Sequence, residues 1–268
     1  MMRRVNVLLK TGLPLLVIMI CALGYLFMPN DPFHVDLSSR FLAPSAAYPL
    51  GTDHLGRCLL SRLLEGGRTT LGIVVAASVI VAVLGTGLGL LAGQIGPDKA
   101  LFLESVLNAV TALPPVAYLI IFIGAWGNGF LTMIFAVTIS LLLRLIKLVK
   151  TRTEIEWGKA YVMCAIAAGA SKAHLLAIQI APNVIKDVIR FICLSCADTI
   201  MVITGFSFIG LGLGDNVIDW GMMVSEARSF IILRPDLILY PIGTIFACTL
   251  SFNVLGRQIE EKGGDGRA

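Results

Sequence analysis

The chain has 268 residues, of which 57% are hydrophobic and only 14% are charged, with a net charge of +4 and a mean hydropathy of +0.87. Soluble domains carry about 25% charged residues, and here the apolar residues are gathered in blocks close to the roughly 20 residues of a transmembrane helix. These values exclude disordered, collagen-like and disulfide-stapled chains and argue strongly against a soluble enzyme. The predicted fold class is an all-α, polytopic membrane protein.

The first predicted element is an apolar helix over residues 13–28, preceded by Arg3 and Arg4. This start resembles a signal peptide, but the polar run 29–32 follows it without a small-residue cleavage site, so we predict an uncleaved helix. A polar loop follows, and it ends in Leu59–Leu64, whose leucines share one helical face typical of a segment lying on the membrane surface. Residues 1–70 therefore form an N-terminal region with one helix and an external loop.

Five further spans are predicted, over residues 71–95, 102–125, 130–149, 184–206 and 237–255. This gives about six transmembrane helices, a core over 71–257 and a short tail over 258–268. Small residues allow close packing of helices in lipid, which we expect of Gly85, Gly87, Gly89 and Gly93. The prolines at 114 and 115 predict a kink in the third span.

The basic residues predict the orientation of the chain. When both termini are placed in the cytoplasm, most of the 21 Lys and Arg fall on the inner side, as the positive-inside rule requires. This distribution accounts for the positive charge without any contact to nucleic acid.

The sequence offers no set of residues for catalysis or for binding a metal. Of the three His, His34 and His54 lie outside and His174 lies inside, so they cannot form a metal triad or a catalytic dyad. Ser207 lacks the second Gly of a nucleophile elbow, and no phosphate-binding loop is present. We expect no catalytic residue, no metal site and no cofactor in this chain, and we interpret Cys193 and Cys196 as small hydrophobic residues.

An ion-coupled carrier that acts without an ATPase is the alternative function. Such carriers place ionisable groups deep in the membrane, and Asp198 is the one deep acid here, in the fifth span. Asp198, Asn108 and Ser207 are candidates to line a pathway, although Asp198 could equally be an acid paired at a helix interface. An intramembrane hydrolase built on Ser207 is a third possibility.

The inner stretch 150–183 predicts a short helix–turn–helix in the cytoplasm. An Ala-rich helix from Tyr161 is broken at Gly169-Ala170-Ser171, and a second helical piece from Lys172 to Ala181 stops at Pro182. A compact element that joins two spans can pass the movement of a partner into the membrane.

The spacing of Ala165, Gly169, Ser171 and Pro182 resembles the cytoplasmic coupling motif of ABC-type importer permeases. In that motif Glu-Ala-Ala precedes a Gly, and a Pro follows thirteen residues after it. Here Met163 and Cys164 stand in place of the Glu and the first Ala. The resemblance implies that the residues that couple the chain to an ATPase are Met163, Ala165, Ala168, Gly169, Ala170, Ser171 and Pro182.

Further strings resemble the dipeptide, oligopeptide and nickel branch of these permeases, specifically its second (C-type) membrane subunit. The outer-loop signature contains Gly51, Thr52, Asp53, Gly56 and Arg57, with Cys58 in place of the usual acid. The strings 207–212, 219–221 and 252–256 are similar to the last loop and the last span of the same family.

The resemblance implies the partners and the location. The chain would pair with a homologous second permease subunit, two cytoplasmic ATPases that use ATP and Mg, and an external substrate-binding protein. It would be a multi-pass protein of the prokaryotic inner membrane, with residues 154–181 seated in a groove of one ATPase. Nickel or metal chelates are slightly favoured over di- and oligopeptides as substrate.

Overall fold

The computed structural model describes residues 11–95, 97–214 and 216–264, and the regular structure in these ranges is helical apart from one isolated bridge between Thr52 and Cys58. This confirms the all-α prediction. Its helices of eight or more residues are α1 Leu13–Leu23, α2 Leu59–Ala92, α3 Pro97–Thr111, α4 Pro115–Trp126, α5 Phe130–Trp157, α6 Ala160–Ala167, α7 Ala181–Phe208, α8 Trp220–Ala227 and α9 Asp236–Gly264.

Within the described ranges, four helical stretches are long and apolar enough to cross a membrane: α2, α5, Lys172–Phe208 and Asp236–Ile259. The bent pair of α3 and α4 gives a fifth span if it is counted as one. The apolar stretch Leu13–Phe27 is shorter than a usual span, so the sixth span stays a prediction. Arg3 and Arg4 lie outside the described residues, as does the end of the predicted tail, 265–268.

The predicted kink in the third span is confirmed. The helix pair is bent by 75° between Thr111 and Pro115. Pro114 has no N–H to continue the first helix, and Pro115 begins α4, a position that favours proline because its missing N–H would have no helical partner there.

The predicted surface segment Leu59–Leu64 is not a separate element, because it forms the first turns of the 34-residue helix α2. Gly66 and Gly67, which follow it, do not end the helix. They allow a close approach instead: a Cβ on Gly66 would lie 2.9 Å from the Trp220 ring, and a Cβ on Gly67 would lie 2.3 Å from the carbonyl oxygen of Cys21.

The predicted helix stop at Pro182 is also wrong. A wide π-helical turn, Leu175–Ile180, leads directly into α7, so that Lys172–Phe208 is one helical stretch. Proline is tolerated in the first turn of a helix, and the N–H of Ala181 bonds to the carbonyl of Leu176, five residues back. This wider spacing lets the chain pass the proline without a break.

The chain divides into two compact units, each assembled from separate stretches. The first contains Met1–Val75, Ile123–Ile134 and Cys196–Leu255, and the second contains Ala76–Phe122, Phe135–Ser195 and Gly256–Ala268.

In the second unit, close packing of α2 on α5 is confirmed for three of the four predicted glycines. A Cβ on Gly85, Gly89 or Gly93 would lie within 2.8 Å of side-chain atoms of Leu145, Val149 and Thr153, respectively. Gly87 has open space around it, so the close-packing prediction is wrong at that position.

Candidate functional site

The coupling segment, which we define as residues 154–181, contains a tight helix end at Gly169. Gly169 adopts a φ of +86°, which side chains with a Cβ rarely adopt. Its N–H bonds to the carbonyl of Ile166, and the N–H of Ala170 bonds to the carbonyl of Ala165. This is the Schellman pattern of hydrogen bonds, which closes the end of α6.

The next residues start a new helical turn at Ser171. The Ser171 Oγ accepts a hydrogen bond from the N–H of His174 at 3.3 Å, as an N-cap residue does. The predicted order of helix, glycine turn and second helix is therefore present in the segment, and Gly169 and Ser171 have distinct structural roles in it.

Helix α6 turns an apolar face outward. Met163 is 59% exposed, and Ile166, three residues later on the same side of the helix, is exposed as well, whereas Val162 is fully buried. A short helix that is anchored by one buried residue and leaves two large apolar side chains uncovered on one side has the composition of an interaction surface. Met163, which stands in place of the motif's Glu, lies on this face.

A buried carboxylate fixes α6 to its neighbours. Glu156, in the last turn of α5, is buried. Its carboxylate pairs with Lys159 and accepts a hydrogen bond of 2.6 Å from the Tyr161 hydroxyl. The Asn183 side chain, at the start of α7, donates to the same hydroxyl oxygen at 3.1 Å. We call Glu156, Lys159, Tyr161 and Asn183 the polar clamp, since they connect α5, α6 and α7.

The protonation of Tyr161 suits its position in the polar clamp. Partial burial and the neighbouring Glu156 carboxylate both raise the pKa of Tyr161. The hydroxyl therefore keeps its proton and donates a hydrogen bond to the Glu156 carboxylate. Glu156 and Asn183 were not among the predicted site residues; the available signal was an acid at the end of an apolar span, next to the coupling motif.

Another candidate site lies in the first unit and is formed by the outer-loop signature, residues 51–57. Gly51 and Gly56 both adopt positive φ, and a Cβ on Gly56 would lie 1.8 Å from the carbonyl oxygen of Asp36. The Thr52 hydroxyl donates to the carbonyl of Ser39 and accepts from the N–H of Leu42. These residues fold the loop into one rigid turn that aims Asp53 inward.

Asp53 belongs to a closed ring of four charges, which we call the charged ring. Its Oδ2 accepts bonds from Arg57 Nε at 2.7 Å and from Arg62 Nη1 at 3.1 Å. The Oε2 of Glu226 accepts bonds from the other ends of Arg57 and Arg62, both at 2.8 Å. Two carboxylates and two guanidinium groups thus cancel, which allows Arg62 to be only 1% exposed.

Asp53, His54 and Glu226 place their ligand atoms within 4.8 Å of one another, a spacing that would suit a metal ion. Arg57 and Arg62 already pair with both carboxylates, and a cation there would face two guanidinium groups. We therefore interpret the carboxylates of Asp53 and Glu226 as members of the charged ring and not as metal ligands. Burial raises the pKa of Glu226, and the nearby Arg57 opposes this shift.

The string 219–221 holds α8 in the first unit. The Asp219 carboxylate accepts from the N–H groups of Gly221 and Met222, while burial raises its pKa. Trp220 is fully buried, and its Nε1 donates to the carbonyl of Leu63 at 3.0 Å. Glu226, six residues after Trp220, was not among the predicted site residues; the signal for it was the excess of two arginines, Arg57 and Arg62, over the single acid Asp53.

The three pathway candidates have different surroundings. Asp198 is exposed on α7 and Asn108 is exposed on α3. Ser207 is buried and packs against Gly221, where an added Cβ would lie 2.8 Å from the Cβ of Ser207. A pathway role for any of the three stays a prediction.

Comparison with known proteins gives the family. Residues 85–261 match the family described as binding-protein-dependent transport system inner membrane component. The chain is 29% identical to the nickel transport system permease protein NikC of Escherichia coli K12, over 88% of this chain and 85% of that protein. It is 30% identical to the glutathione transport system permease protein GsiD of Pectobacterium atrosepticum, over 92% and 82%. It is 32% identical to a putative peptide permease protein of Brucella suis, over 88% and 79%.

These relatives do not favour a carrier that acts without an ATPase, and they agree with a function in transport rather than in catalysis. They imply partnership with another permease, an ATPase and a binding protein. The chain belongs to the binding-protein-dependent inner membrane components and is a multi-pass permease subunit of an ABC importer of the peptide/nickel family.

Proposed function

We propose that the coupling segment is the part of this permease that an ATPase partner engages. The observation that carries this proposal is the apolar face of α6, where Met163 and Ile166 are exposed on a helix outside the candidate spans. Such a face is unfavourable in water and becomes favourable when a partner covers it. In an ABC importer, the partner on the cytoplasmic side is the ATPase.

The polar clamp supports the transmission of movement. Because Glu156, Tyr161 and Asn183 connect α6 to the ends of α5 and α7, a displacement of α6 pulls on two spanning helices together. The tight turn at Gly169 keeps α6 short and compact. Closure of the ATPases would in this way move the spans.

The assembly that we propose contains this chain, a homologous second permease subunit, two cytoplasmic ATPases and an external binding protein. ATP and Mg are used by the ATPases, and this chain binds no cofactor itself. Both termini lie in the cytoplasm. The orientation is supported by the basic residues around the coupling segment: Arg144, Lys147, Arg152, Lys159, Lys172, Lys186 and Arg190.

On the external side, the loop that carries the charged ring docks the binding protein, and its rigidity supports this role. Asp198 and Asn108 line the pathway, since exposed polar groups within spans avoid lipid by facing a partner or a water-filled cavity. The substrate is nickel or a metal chelate, supported by the nickel permease among the relatives, and small peptides are the alternative.

The coupling role is tested by Met163→Arg, with Met163→Leu as the matched control. The arginine places a charge on the docking face, while the side chain's exposure leaves room for it, so the chain should insert into the membrane normally. We expect ATP-driven uptake to fall at least tenfold for Met163→Arg and to stay near normal for Met163→Leu. Normal uptake by the arginine variant would contradict the proposal.

The substrate is tested in the complete transporter, by uptake of radiolabelled nickel and of a labelled tripeptide in cells that lack other routes. Nickel uptake without peptide uptake is the expected result, and the reverse would assign peptides.

A further inference from the structure

Three consecutive apolar residues, Ile231, Ile232 and Leu233, form a projecting tip between α8 and α9. They are 53%, 98% and 67% exposed, and we call them the apolar tip. Aliphatic side chains so fully surrounded by solvent lose the free energy that burial would provide. A contiguous apolar patch of this kind marks a surface that another molecule covers.

The apolar tip projects because its base is fixed. The Phe230 ring stacks on the His54 ring with centroids 5.1 Å apart and meets the Phe41 ring edge-on at 5.3 Å. The N–H groups of Leu233 and Arg234 both bond to the carbonyl of Phe230, at 3.0 and 2.8 Å. A tight turn held in this way directs the three side chains outward as a rigid group.

The charged residues nearest to the apolar tip are compatible with a non-polar environment around it. The Arg234 guanidinium forms two bonds to the Asp236 carboxylate, at 2.9 and 2.7 Å, and a third to the carbonyl of Phe41 at 2.6 Å. This pair is neutral and is directed back toward the loop. Arg228, on the other side of the apolar tip, is exposed, as suits a residue at the level of lipid headgroups.

The apolar surface continues from the apolar tip along a spanning helix. Helix α9 begins three residues after Leu233, and it exposes Leu239, Ile242, Phe246 and Leu250 at the three- and four-residue spacing of one helical face. The apolar tip therefore stands at the point where this face leaves the membrane. It offers no polar side chain to a partner, whereas interfaces between proteins usually combine apolar contacts with hydrogen bonds.

We propose that the apolar tip inserts into the bilayer, at the boundary between headgroups and acyl chains, in the leaflet at that end of α9. There it anchors the loop to lipid in the way that interfacial apolar segments do. The contact joins the rigid base at Phe230, and through it the loop of the outer signature, to the membrane surface. The proposal rests on α9 being a span and does not depend on the coupling role of α6.

The test places the photoreactive residue p-benzoylphenylalanine at position 232 of the complete transporter in its membrane. Since Ile232 is almost fully exposed, its replacement leaves the fold unchanged. Position 239 on the spanning helix serves as the positive control, and position 46, an exposed alanine of the outer loop, serves as the negative one. After irradiation, mass spectrometry separates phospholipid adducts from cross-links to protein.

We expect phospholipid adducts at position 232 in a yield close to that at position 239 and at least fivefold above that at position 46. Two results would overturn the proposal: a lipid yield at position 232 no higher than that at position 46, or adducts that are mainly cross-links to another protein. Both can be read without any measurement of uptake, so they are independent of the proposed coupling.

Discussion

Single residues in this permease are held by charges that are buried together and cancel. Arg62 is 1% exposed, which is tolerable only because Asp53 and Glu226 each bond to it while sharing Arg57. Taking ions out of water costs several kcal/mol each, and the mutual pairing offsets that cost. The same logic applies to Glu156 in the polar clamp, where Lys159 and Tyr161 satisfy a buried carboxylate.

Removing one member of the charged ring should destabilise the chain more than removing an oppositely charged pair. Glu226→Ala leaves two guanidinium groups with one carboxylate, and we expect a loss of about 3 kcal/mol in the free energy of unfolding. The double change Glu226→Leu with Arg62→Leu restores neutrality and should cost less than the single change. Thermal unfolding in detergent micelles measures both. Equal losses for the two variants would mean that charge balance is not what stabilises the ring.

Gly169 is required for its backbone conformation, since a Cβ there would meet nothing within 4 Å. Gly169→Val forces a branched side chain into a positive φ, at a cost of about 1–2 kcal/mol, and should unwind the end of α6. We expect ATP-driven uptake to fall at least tenfold while membrane insertion is kept. Gly169→Asn, which tolerates this φ far better, should keep most of the uptake, and a loss equal to that of valine would argue against the conformational explanation.

Helices α2 and α5 of the second unit approach closely through a row of small residues. Gly85 and Gly89 lie one turn apart on α2 and Gly93 directly follows its end, and the side chains that meet them, Leu145, Val149 and Thr153, are spaced in the same way on α5. This is the small-residue packing that lipid-embedded helices use. The contact depends on which residues of α2 face α5, because Gly87, which lies between Gly85 and Gly89 in the sequence, faces open space.

Gly89 and Gly87 provide a matched pair for testing this contact. A Cβ on Gly89 would lie 2.5 Å from the Cβ of Val149, so Gly89→Ala should lower the stability by about 1–3 kcal/mol through overpacking. Gly87→Ala meets no neighbour and should raise it by about 1 kcal/mol through helix propensity. Thermal stability in detergent distinguishes the two. A stabilising Gly89→Ala would show that α2 and α5 can separate without cost.

The whole molecule combines a loop that carries the charged ring with a coupling segment that carries the apolar face of α6. We propose that the coupling segment lies in the cytoplasm, and the basic residues near it support this location. In that orientation the loop with Asp53 and the loop with Ile232 would both face outward. A permease with this orientation would receive substrate from the binding protein at its outer face and would be driven by the ATPases at its cytoplasmic face.

The orientation is checked by reporter fusions. A fluorescent protein that folds only in the cytoplasm, fused after Ala268, should fluoresce. Alkaline phosphatase, which is active only outside the cytoplasm, should be active when inserted after Ala46 and inactive when inserted after Ala168. Activity of the phosphatase at position 168 would invert the topology and remove the coupling segment from the reach of an ATPase.

The sequence predicted the features that depend on neighbouring residues. The apolar blocks gave most of the spans, the prolines at 114 and 115 gave the bend, and Gly169 with Ser171 gave the turn of the coupling segment. Features that depend on distant residues were missed. Glu226 lies 164 positions from Arg62 and Asn183 lies 22 from Tyr161, and no local periodicity contains such a pairing. The segment Leu59–Leu64 was predicted to be separate and Pro182 was predicted to end a helix, because the close packing behind Leu64 and the π-helical turn before Pro182 are not visible in the sequence.

The charged ring also has a consequence for how this family changes over time. Losing one of Asp53, Arg57, Arg62 and Glu226 alone leaves an unbalanced charge in a largely buried site, so each single step away from the ring should be disfavoured. We therefore expect the four residues to be inherited together. Relatives should carry all four or should replace an acid and an arginine in the same lineage, which makes the ring a marker that can be traced through descent.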